Sequence, residues 1–328
     1  MKLLTCFPIT DQQIDRIQIA VPDWQLVHAD QDSVAELILE CDVFCGHAKH
    51  QQVDWNAVVA VDRLNWIQSS AAGLDHCLTP PILESEVVVS GCTGLFRDSV
   101  VEQTMALLYG MMRSMPVFHD AKLKKEFIRR PTNDLHGKTI GIVGFGGNGQ
   151  RIAELLLPLG NEVIATERFV DEWQAAGDLP AITELMPADA LPELLKRSDV
   201  VILTLPLDDS TERIMSSDQF AMMPSGSWFV NVGRGRLVDE PALVTALQSG
   251  QLAGAGLDVT FHEPLPTDSP LWTMPNVIIS PHVGAQSANR YDLVTELLIE
   301  NLGRFVAGER LKNHVDKQIG FPLPADRS

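Results

Sequence analysis

Short apolar runs alternate with amphipathic stretches over residues 1–98. The apolar runs predict strands at residues 3–7, 24–28, 42–45, 66–68 and 87–89, and the stretches at 11–20 and 33–39 have helical spacing. Strands separated by helices are typical of a parallel sheet that is covered on both faces. The first part of the chain is therefore predicted to be an α/β domain.

A second alternation follows a long helical pattern. That pattern begins at Ser99 and runs towards Met115, and Pro116 is expected to end it. Further strands are predicted at residues 140–143, 162–166, 199–205, 228–232, 256–259 and 277–280, with helices at 152–156, 191–196 and 241–247. A final amphipathic helix is predicted at residues 292–306.

The order of these elements suggests two domains. The last helix lies beyond the second sheet, and the simplest place for it is on the first domain. We therefore expect a discontinuous domain of residues 1–98 and 287–328, interrupted by a domain of residues 99–286. The basic stretch at residues 117–136 is either a solvated arm or a subunit contact, and its composition does not separate the two.

The second domain opens with a glycine-rich turn. The spacing is Gly144-x-Gly146-x-x-Gly149, with Gly147 and Asn148 inside it, after a predicted strand and before a predicted helix. Such a turn exposes backbone N–H groups at a helix N-terminus, where an anion such as a pyrophosphate is stabilised. The alternative is a purely structural turn, but the strand–turn–helix context favours a dinucleotide site.

The following strand ends at Glu167, which lies 18 residues after Gly149. A carboxylate at about this separation can bind the ribose hydroxyls of a dinucleotide. Arg168 comes next. NAD is the favoured cofactor because the carboxylate would repel a 2′-phosphate, and NADP stays an alternative because the arginine could bind one.

Charge and cysteine content narrow the possible partners. The 328 residues carry a formal net charge of −18, which argues against nucleic acid and anionic membranes, although not against a small anionic substrate. The chain has five cysteines, and none has the spacing of a metal-binding motif. This pattern favours reduced thiols, no bound metal and a cytoplasmic location. No apolar run approaches the roughly 18 residues of a membrane span.

Three polar side chains follow predicted strands of the second domain: Arg234, Glu263 and His282. The carboxyl ends of parallel strands are where open α/β sheets bind ligands. An imidazole can exchange a proton with a carbonyl oxygen or hydroxyl, a carboxylate can pair with the imidazolium, and a guanidinium can hold a 2-keto carboxylate. Each residue also has a structural interpretation, as a packed histidine, a turn arginine or a Glu-Pro boundary. Together they favour catalysis.

The segments that carry these residues resemble the D-isomer-specific 2-hydroxyacid dehydrogenases. The similar segments are VNVGRGRLVDE at 230–240, LDVTFHEPL at 257–265, DSPLW at 268–272, PNVIISPHVG at 275–284, LPLDDST at 205–211 and QSSAAGLD at 68–75. The resemblance covers nearly the whole chain. It implies a Rossmann dinucleotide-binding domain inserted in a flavodoxin-like substrate domain, two doubly wound parallel sheets in all.

The resemblance also implies roles for single residues. Arg234 would bind substrate, Glu263 would pair with His282, and His282 would be the acid/base. The cofactor would contact the glycine turn, Glu167 and Arg168, and further Leu205, Pro206, Thr211, the carbonyl of Val232, Asp258 and Gly284. The substrate carboxylate would lie at the loop of Ala71, Ala72 and Gly73. The helix after Ser99 would form a homodimer through the cofactor domain.

Some positions depart from the family pattern. Thr260 and Phe261 stand where the family often has Phe-Glu, but Glu263 itself is kept. Glu167 stands where the NAD-dependent members usually have Asp. Ala72 stands where the family's phosphite dehydrogenases carry Lys, and Glu263 stands where its formate dehydrogenases carry Gln. Phosphite and formate dehydrogenase activities are therefore less favoured.

The substrate is left open at this stage. His47, Lys49 and His50 follow a strand of the first domain and are either a cationic wall for the far end of a substrate or a solvated loop. Glyoxylate, hydroxypyruvate, glycerate and 3-phosphoglycerate are all compatible small acids. The alternative function is a dinucleotide-sensing, corepressor-like binding protein of the same fold.

Overall fold

The computed structural model describes residues 1–49, 52–171, 181–323 and 326. The chain forms two compact units. Unit 1 contains Met1–Phe96 and Ser287–Ser328, and unit 2 contains Arg97–Gln286. The expected boundary at residue 98 differs by two residues because the long helix begins at Arg97 and not at Ser99.

Unit 1 is built on a five-stranded parallel sheet in the order β2-β1-β3-β4-β5. This is the flavodoxin-like order, in which the chain reverses direction across the sheet between β1 and β3. The strands are β1 (Lys2–Cys6), β2 (Gln25–His28), β3 (Val43–Gly46), β4 (Trp66–Ser69) and β5 (Val88–Ser90). The connecting helices are α1 (Asp11–Ala20), α2 (Val34–Leu37), α3 (Trp55–Val61) and α4 (Pro80–Glu84).

The last long helix packs within unit 1. Gln13 Nε2 of α1 donates to Asp292 Oδ1 at 2.6 Å, and Arg16 pairs with Glu296 at 2.6 Å. In the interior, Asn301 Nδ2 donates to Gln68 Oε1 of β4 at 2.8 Å. The helix therefore lies on the unit to which the sequence analysis assigned it, although most of the chain separates it from α1.

Unit 2 contains a seven-stranded parallel sheet in the order β12-β11-β10-β9-β6-β7-β8. Read from β8 towards β11, this is the doubly wound order 3-2-1-4-5-6 of dinucleotide-binding folds, with β12 added at the far edge. The predicted fold class, with two doubly wound parallel sheets, is confirmed. The strands are β6 (Thr139–Val143), β7 (Glu162–Glu167), β8 (Glu184–Pro187), β9 (Val200–Leu203), β10 (Ser227–Asn231), β11 (Leu252–Leu257) and β12 (Val277–Ile279).

The helices of unit 2 include α5 (Arg97–Met112), α6 (Met115–Leu123), α7 (Gly147–Leu156), α8 (Leu191–Arg197), α9 (Ser217–Met222) and α10 (Glu240–Gln248). The returning helix of unit 1 is α11 (Arg290–Ala307), and a short antiparallel pair, β13 (Val315–Asp316) and β14 (Phe321–Pro322), follows it. Buried apolar side chains pack on both faces of the unit 2 sheet. No helix in the described ranges is long and apolar enough to cross a membrane.

The prediction that Pro116 ends the long helix is wrong. Helix α5 ends at Met112, and Pro116 lies in the first turn of α6. A proline is tolerated there because the N–H groups of the first turn have no partner within the helix. The break between the two helices is at Ser114, which adopts a left-handed conformation with φ of 55°.

Two further features bear on the sequence predictions. Strand β8 lies within a region for which no strand was predicted, because only Met186 of its residues is buried and the apolar pattern is weak. All five cysteines are free and buried. Burial raises the pKa of the Cys77 thiol to about 12, so this thiol is protonated at neutral pH.

Candidate active site

The glycine turn lies between β6 and α7. Gly144 has φ of +95°, and a Cβ on Gly149 would lie 2.4 Å from the Gly144 carbonyl oxygen, so the turn requires glycine at both positions. A Cβ on Gly146 would have no heavy atom within 4 Å, which means that the backbone here faces open space. A pyrophosphate needs such a close approach to the backbone. The turn therefore fits a dinucleotide.

Side chains of the β9 strand end support the same turn. Thr204 Oγ1 donates to the Gly144 carbonyl at 2.6 Å, and a Cβ on Gly144 would lie 2.9 Å from Leu205 Cδ2. In the following loop, Thr211 Oγ1 donates to the Pro206 carbonyl at 2.9 Å. Because β9 and β6 are neighbours in the sheet, this loop lies along one side of the turn. Leu205, Pro206 and Thr211 are thus placed near the predicted pyrophosphate position.

The β7 strand end lies on the other side of the turn. Glu167 Oε2 accepts from the backbone N–H of Phe145 at 2.9 Å, so this carboxylate is anchored to the turn itself. Arg168 extends to the β9 loop, where Nη2 donates to Asp208 Oδ2 at 2.8 Å and to Ser210 Oγ at 2.9 Å. The sequence analysis found Glu167 and Arg168 but not their partners. Asp208 and Ser210 lie 40 and 42 residues further along the chain, so no local pattern indicates their contact with Arg168.

Glu263 and His282 form a hydrogen-bonded pair. His282 Nδ1 lies 2.8 Å from Glu263 Oε2, and the backbone N–H of Thr260 donates to the other carboxylate oxygen at 3.3 Å. Partial burial raises the pKa of Glu263, but the hydrogen bond from His282 and the charges of His282 and Arg234 outweigh it, so the net pKa is below its usual value. The carboxylate is ionised at neutral pH, and its acceptor role places a proton on Nδ1 of the imidazole.

Arg234 lies at the end of β10, next to the loop that carries Glu263. Asn231 braces this turn by donating from Nδ2 to the Arg234 carbonyl at 2.9 Å and accepting from the Gly233 N–H at 3.0 Å. A Cβ on Gly235 would lie 1.7 Å from the Thr260 carbonyl oxygen. Only glycine allows the two loops to approach so closely, which is why the charge of Arg234 influences Glu263.

Asp258 holds the loop that carries His282. Its Oδ1 accepts from Ser280 Oγ at 2.6 Å and from the Val283 N–H at 3.0 Å, and its Oδ2 accepts from the Gly284 N–H at 2.8 Å. His282 itself has φ of 54°, and its N–H donates to the Asp258 carbonyl at 2.7 Å. The left-handed backbone at His282 is therefore fixed by a buried carboxylate.

Two side chains of helix α5 reach this site and were not predicted from the sequence. Gln103, on α5, donates from Nε2 to Ser280 Oγ at 2.8 Å and completes a chain of hydrogen bonds to Asp258. Arg97, at the start of α5, has its Cδ 3.7 Å from the position of a Cβ on Gly147, so it brings a cation close to the glycine turn. The helical pattern predicted α5, but no local signal shows what its side chains reach.

The predicted substrate loop is in unit 1, after β4. Ser69 Oγ accepts from the Ala71 N–H at 3.0 Å, whereas within the described residues the N–H groups of Ala72 and Gly73 donate to no acceptor. Two consecutive N–H groups without an acceptor are suited to bind a carboxylate.

A histidine pair lies beside this loop. The rings of His47 and His76 are stacked with centroids 3.8 Å apart, and His76 Nε2 lies 3.3 Å from Ser69 Oγ. His47 is half-buried and Lys49 is exposed, whereas His50 falls outside the described residues. The structure thus brings His47 to the loop, and it adds His76, which the sequence analysis missed.

Comparisons with known proteins identify the family of this chain. The model of the D-isomer specific 2-hydroxyacid dehydrogenase NAD-binding domain matches residues 105–284. A glyoxylate/hydroxypyruvate reductase B from Escherichia fergusonii is 40% identical over 277 residues, which cover 82% of this chain and 83% of that protein. A D-3-phosphoglycerate dehydrogenase from Methanocaldococcus jannaschii is 28% identical over 309 residues, covering 88% of this chain but 58% of that protein.

Solved structures give the same result. An NADPH-dependent glyoxylate/hydroxypyruvate reductase from Sinorhizobium meliloti, in complex with NADP and sulfate, superposes with a TM-score of 0.78 at 26% identity, covering 97% of this chain and 99% of that chain. The family match includes the glycine turn and the strand ends that carry Arg234, Glu263 and His282. The chain belongs to the D-isomer specific 2-hydroxyacid dehydrogenases and is an NAD(P)-dependent oxidoreductase.

Proposed function

We propose that the protein transfers a hydride between NAD(H) and a small acid couple, either glyoxylate with glycolate or hydroxypyruvate with D-glycerate, and that oxidation of 3-phosphoglycerate is the competing reaction. The observation that carries this proposal is the 2.8 Å pair of His282 and Glu263, on the same sheet edge as the glycine turn. The 40% identity to a glyoxylate/hydroxypyruvate reductase supports this substrate type.

The proposed chemistry divides between cofactor and protein. A dinucleotide held at the glycine turn would supply the hydride for the carbonyl carbon. His282 donates a proton to the carbonyl oxygen from Nε2, because Nδ1 is engaged by Glu263. The ionised Glu263 orients the ring and stabilises the imidazolium before the proton leaves. In the reverse direction the same imidazole accepts the hydroxyl proton.

Substrate binding is proposed for the remaining polar groups. Arg234 would hold the 2-keto carboxylate and polarise the carbonyl, which suits a planar guanidinium. In unit 1, the unsatisfied N–H groups of Ala72 and Gly73 support their assignment to the substrate carboxylate. We further propose that His47 and Lys49 bind the far end of a longer substrate.

We also propose a homodimer through the cofactor unit. Helix α6 and the segment after it carry large exposed apolar side chains, among them Leu123 at 69% and Phe127 at 93%. Exposed apolar side chains that fall close together, as Leu123, Phe127 and Ile128 do in the chain, mark a protein interface when they form a patch. Light scattering of the purified protein and of Phe127→Glu tests this, since the variant should be monomeric if the segment forms the contact.

The reaction is tested by NADH oxidation with a panel of glyoxylate, hydroxypyruvate, 3-phosphohydroxypyruvate and pyruvate. His282→Ala should lose most of kcat, and Arg234→Ala should mainly raise KM with some loss of kcat. His119→Ala, at an exposed histidine of α6, is the matched control. A near-normal kcat without His282 would refute the mechanism. Tight dinucleotide binding without turnover of any 2-keto acid would favour the dinucleotide-sensing function instead.

A further inference from the structure

An ion pair joins the two loops on either side of the glycine turn. Strands β7 and β9 both pair with β6, so their carboxyl ends flank the turn that follows β6. Arg168 follows β7, and Asp208 lies in the loop after β9, yet Arg168 Nη2 and Asp208 Oδ2 are only 2.8 Å apart. The pair thus spans the end of β6, where the adenosine half of a dinucleotide is expected.

Asp208 is held in place independently of Arg168. Its Oδ1 accepts from the Ser210 N–H at 2.8 Å, from Ser210 Oγ at 2.6 Å and from the Thr211 N–H at 3.0 Å. Partial burial raises the pKa of Asp208, but the hydrogen bonds from Ser210 and Arg168 outweigh it and leave the pKa below its usual value. The carboxylate is therefore charged at neutral pH, and the three hydrogen bonds to Oδ1, none of which involves Arg168, hold it in place.

Arg168 is the more exposed member of the pair. Its side chain is 41% exposed, and Ser210 Oγ is its second acceptor. A partly exposed ion pair of this kind is weak, since water and salt screen it. A guanidinium is also the side chain best suited to bind a phosphate in a bidentate manner. Arg168 would therefore be a competent 2′-phosphate ligand if Asp208 did not compete for it.

The surrounding charge opposes a 2′-phosphate. The two loops, residues 167–169 and 205–211, contain the carboxylates of Glu167, Asp208 and Asp209 and the single cation of Arg168, a formal charge of −2. Glu167 is anchored to the Phe145 N–H, so it cannot readily withdraw. A ribose hydroxyl can donate to such a carboxylate, whereas a doubly charged phosphate is repelled by it.

We propose that Asp208 is a specificity-determining residue, which sequesters Arg168 and thereby makes the dinucleotide site prefer NAD(H) to NADP(H). In this arrangement Arg168 is a latent 2′-phosphate ligand. The inference rests on the dinucleotide site of the proposed function and goes beyond it by naming the residue pair that selects the cofactor. It also explains how a chain with an arginine at this position can favour NAD.

The test is calorimetric and needs no turnover. Binding of NAD⁺ and NADP⁺, and of the fragments AMP and adenosine 2′,5′-bisphosphate, is measured for the wild type and for Asp208→Asn. Asparagine keeps a carbonyl oxygen for the N–H groups of Ser210 and Thr211, so the loop should be preserved. We expect the wild type to bind NAD⁺ more tightly, and the variant to gain roughly fivefold to tenfold in affinity for the 2′-phosphorylated ligands alone.

A matched control removes the same charge elsewhere. Glu184 is the first residue of β8 and pairs with Arg197 at 2.8 Å, so it lies at the amino end of the parallel strands, away from the glycine turn at their carboxyl ends. Glu184→Gln changes the net charge as Asp208→Asn does, and it should leave the ratio of NAD⁺ to NADP⁺ affinity unchanged. A similar gain in NADP⁺ affinity with this control would overturn the assignment to Asp208, because general charge would then explain it.

Arg168→Ala, alone and combined with Asp208→Asn, separates attraction of the 2′-phosphate by Arg168 from its repulsion by Asp208. The proposal requires that the gain in NADP⁺ affinity disappears in the double variant. It is overturned if the gain persists without Arg168, if Asp208→Asn binds NAD⁺ normally but NADP⁺ no better, or if the wild type already prefers NADP⁺. Failure of the wild type to bind either dinucleotide would instead refute the proposed function, and this inference with it.

Discussion

The buried carboxylate of Asp258 offers a sharp test of how the active-site loop is held. Asp258 is only 3% exposed, and its two carboxylate oxygens accept three hydrogen bonds, from Ser280, Val283 and Gly284. Asp258→Asn keeps the size of the side chain but replaces one oxygen with an NH₂ group. We expect this variant to release the loop that carries His282.

The magnitude follows from the hydrogen bonds. If the amide oxygen takes the place of Oδ1, the bonds from Ser280 and Val283 survive without their ionic character, and the NH₂ group faces the Gly284 N–H. Hydrogen bonds to a charged group contribute about 1.5–3 kcal/mol, and a buried donor without a partner costs about 1–3 kcal/mol. We therefore expect the free energy of opening the 280–284 loop to fall by about 2–4 kcal/mol.

The assay combines hydrogen exchange with kinetics. The N–H groups of Val283 and Gly284 should exchange at least ~10-fold faster in Asp258→Asn, and kcat should fall by at least ~10-fold because each 1.4 kcal/mol is worth about a factor of ten. Asp268→Asn, at an exposed carboxylate, is the control. Unchanged exchange at these two N–H groups together with an unchanged kcat would refute the reasoning.

Three further variants probe other parts of the molecule. Gly149→Ala places a methyl group 2.4 Å from the Gly144 carbonyl oxygen, so the turn must shift. This overpacking costs about 1–3 kcal/mol and should weaken NAD⁺ binding measured by calorimetry. A normal NAD⁺ affinity would contradict the close packing of the turn. Lys317→Met removes the hydrogen bonds from Nζ to the carbonyl oxygens of Ile82 (2.7 Å) and Ser85 (2.6 Å). In urea unfolding, the free energy of unfolding of unit 1 should be lower by about 1–2 kcal/mol, whereas NAD⁺ affinity should not change. Burial lowers the pKa of His314 below 6.5, so the unfolded chain binds a proton more readily and stability falls as the pH drops below 6.5. The melting temperature of His314→Asn should therefore fall less than that of the wild type between pH 7.5 and about 5.5. Equal slopes of melting temperature against pH would exclude this linkage.

The parts of the site that lie within one short segment were predictable. The spacing of Gly144, Gly146 and Gly149 after an apolar run indicates a strand, a turn and a helix, because each step depends on a few consecutive residues. Glu263 and His282 were placed at the ends of β11 and β12 by the same reasoning. Since those strands are neighbours in the sheet, the two side chains meet.

Other features depended on partners that are remote in the chain. Arg168 was recognised, but its acceptor is 40 residues away in a loop whose conformation Ser210 and Thr211 determine. The proline at 116 was assigned to the wrong end of a helix, because its missing N–H suits a helix start as well as it prevents a continuation. His76 carries no local signal, and only the ring contact with His47 makes it visible.

The sequence by itself determined the two parallel α/β domains, the glycine turn, and the strand ends that carry Arg234, Glu263 and His282. These follow from periodicity and from residue types at fixed spacing, which are properties of adjacent positions. Only the tertiary structure decided which polar groups satisfy one another, such as Asp258 with the His282 loop and Asp208 with Arg168. Such pairs depend on the order of the strands and the shape of the loops, so no local pattern encodes them.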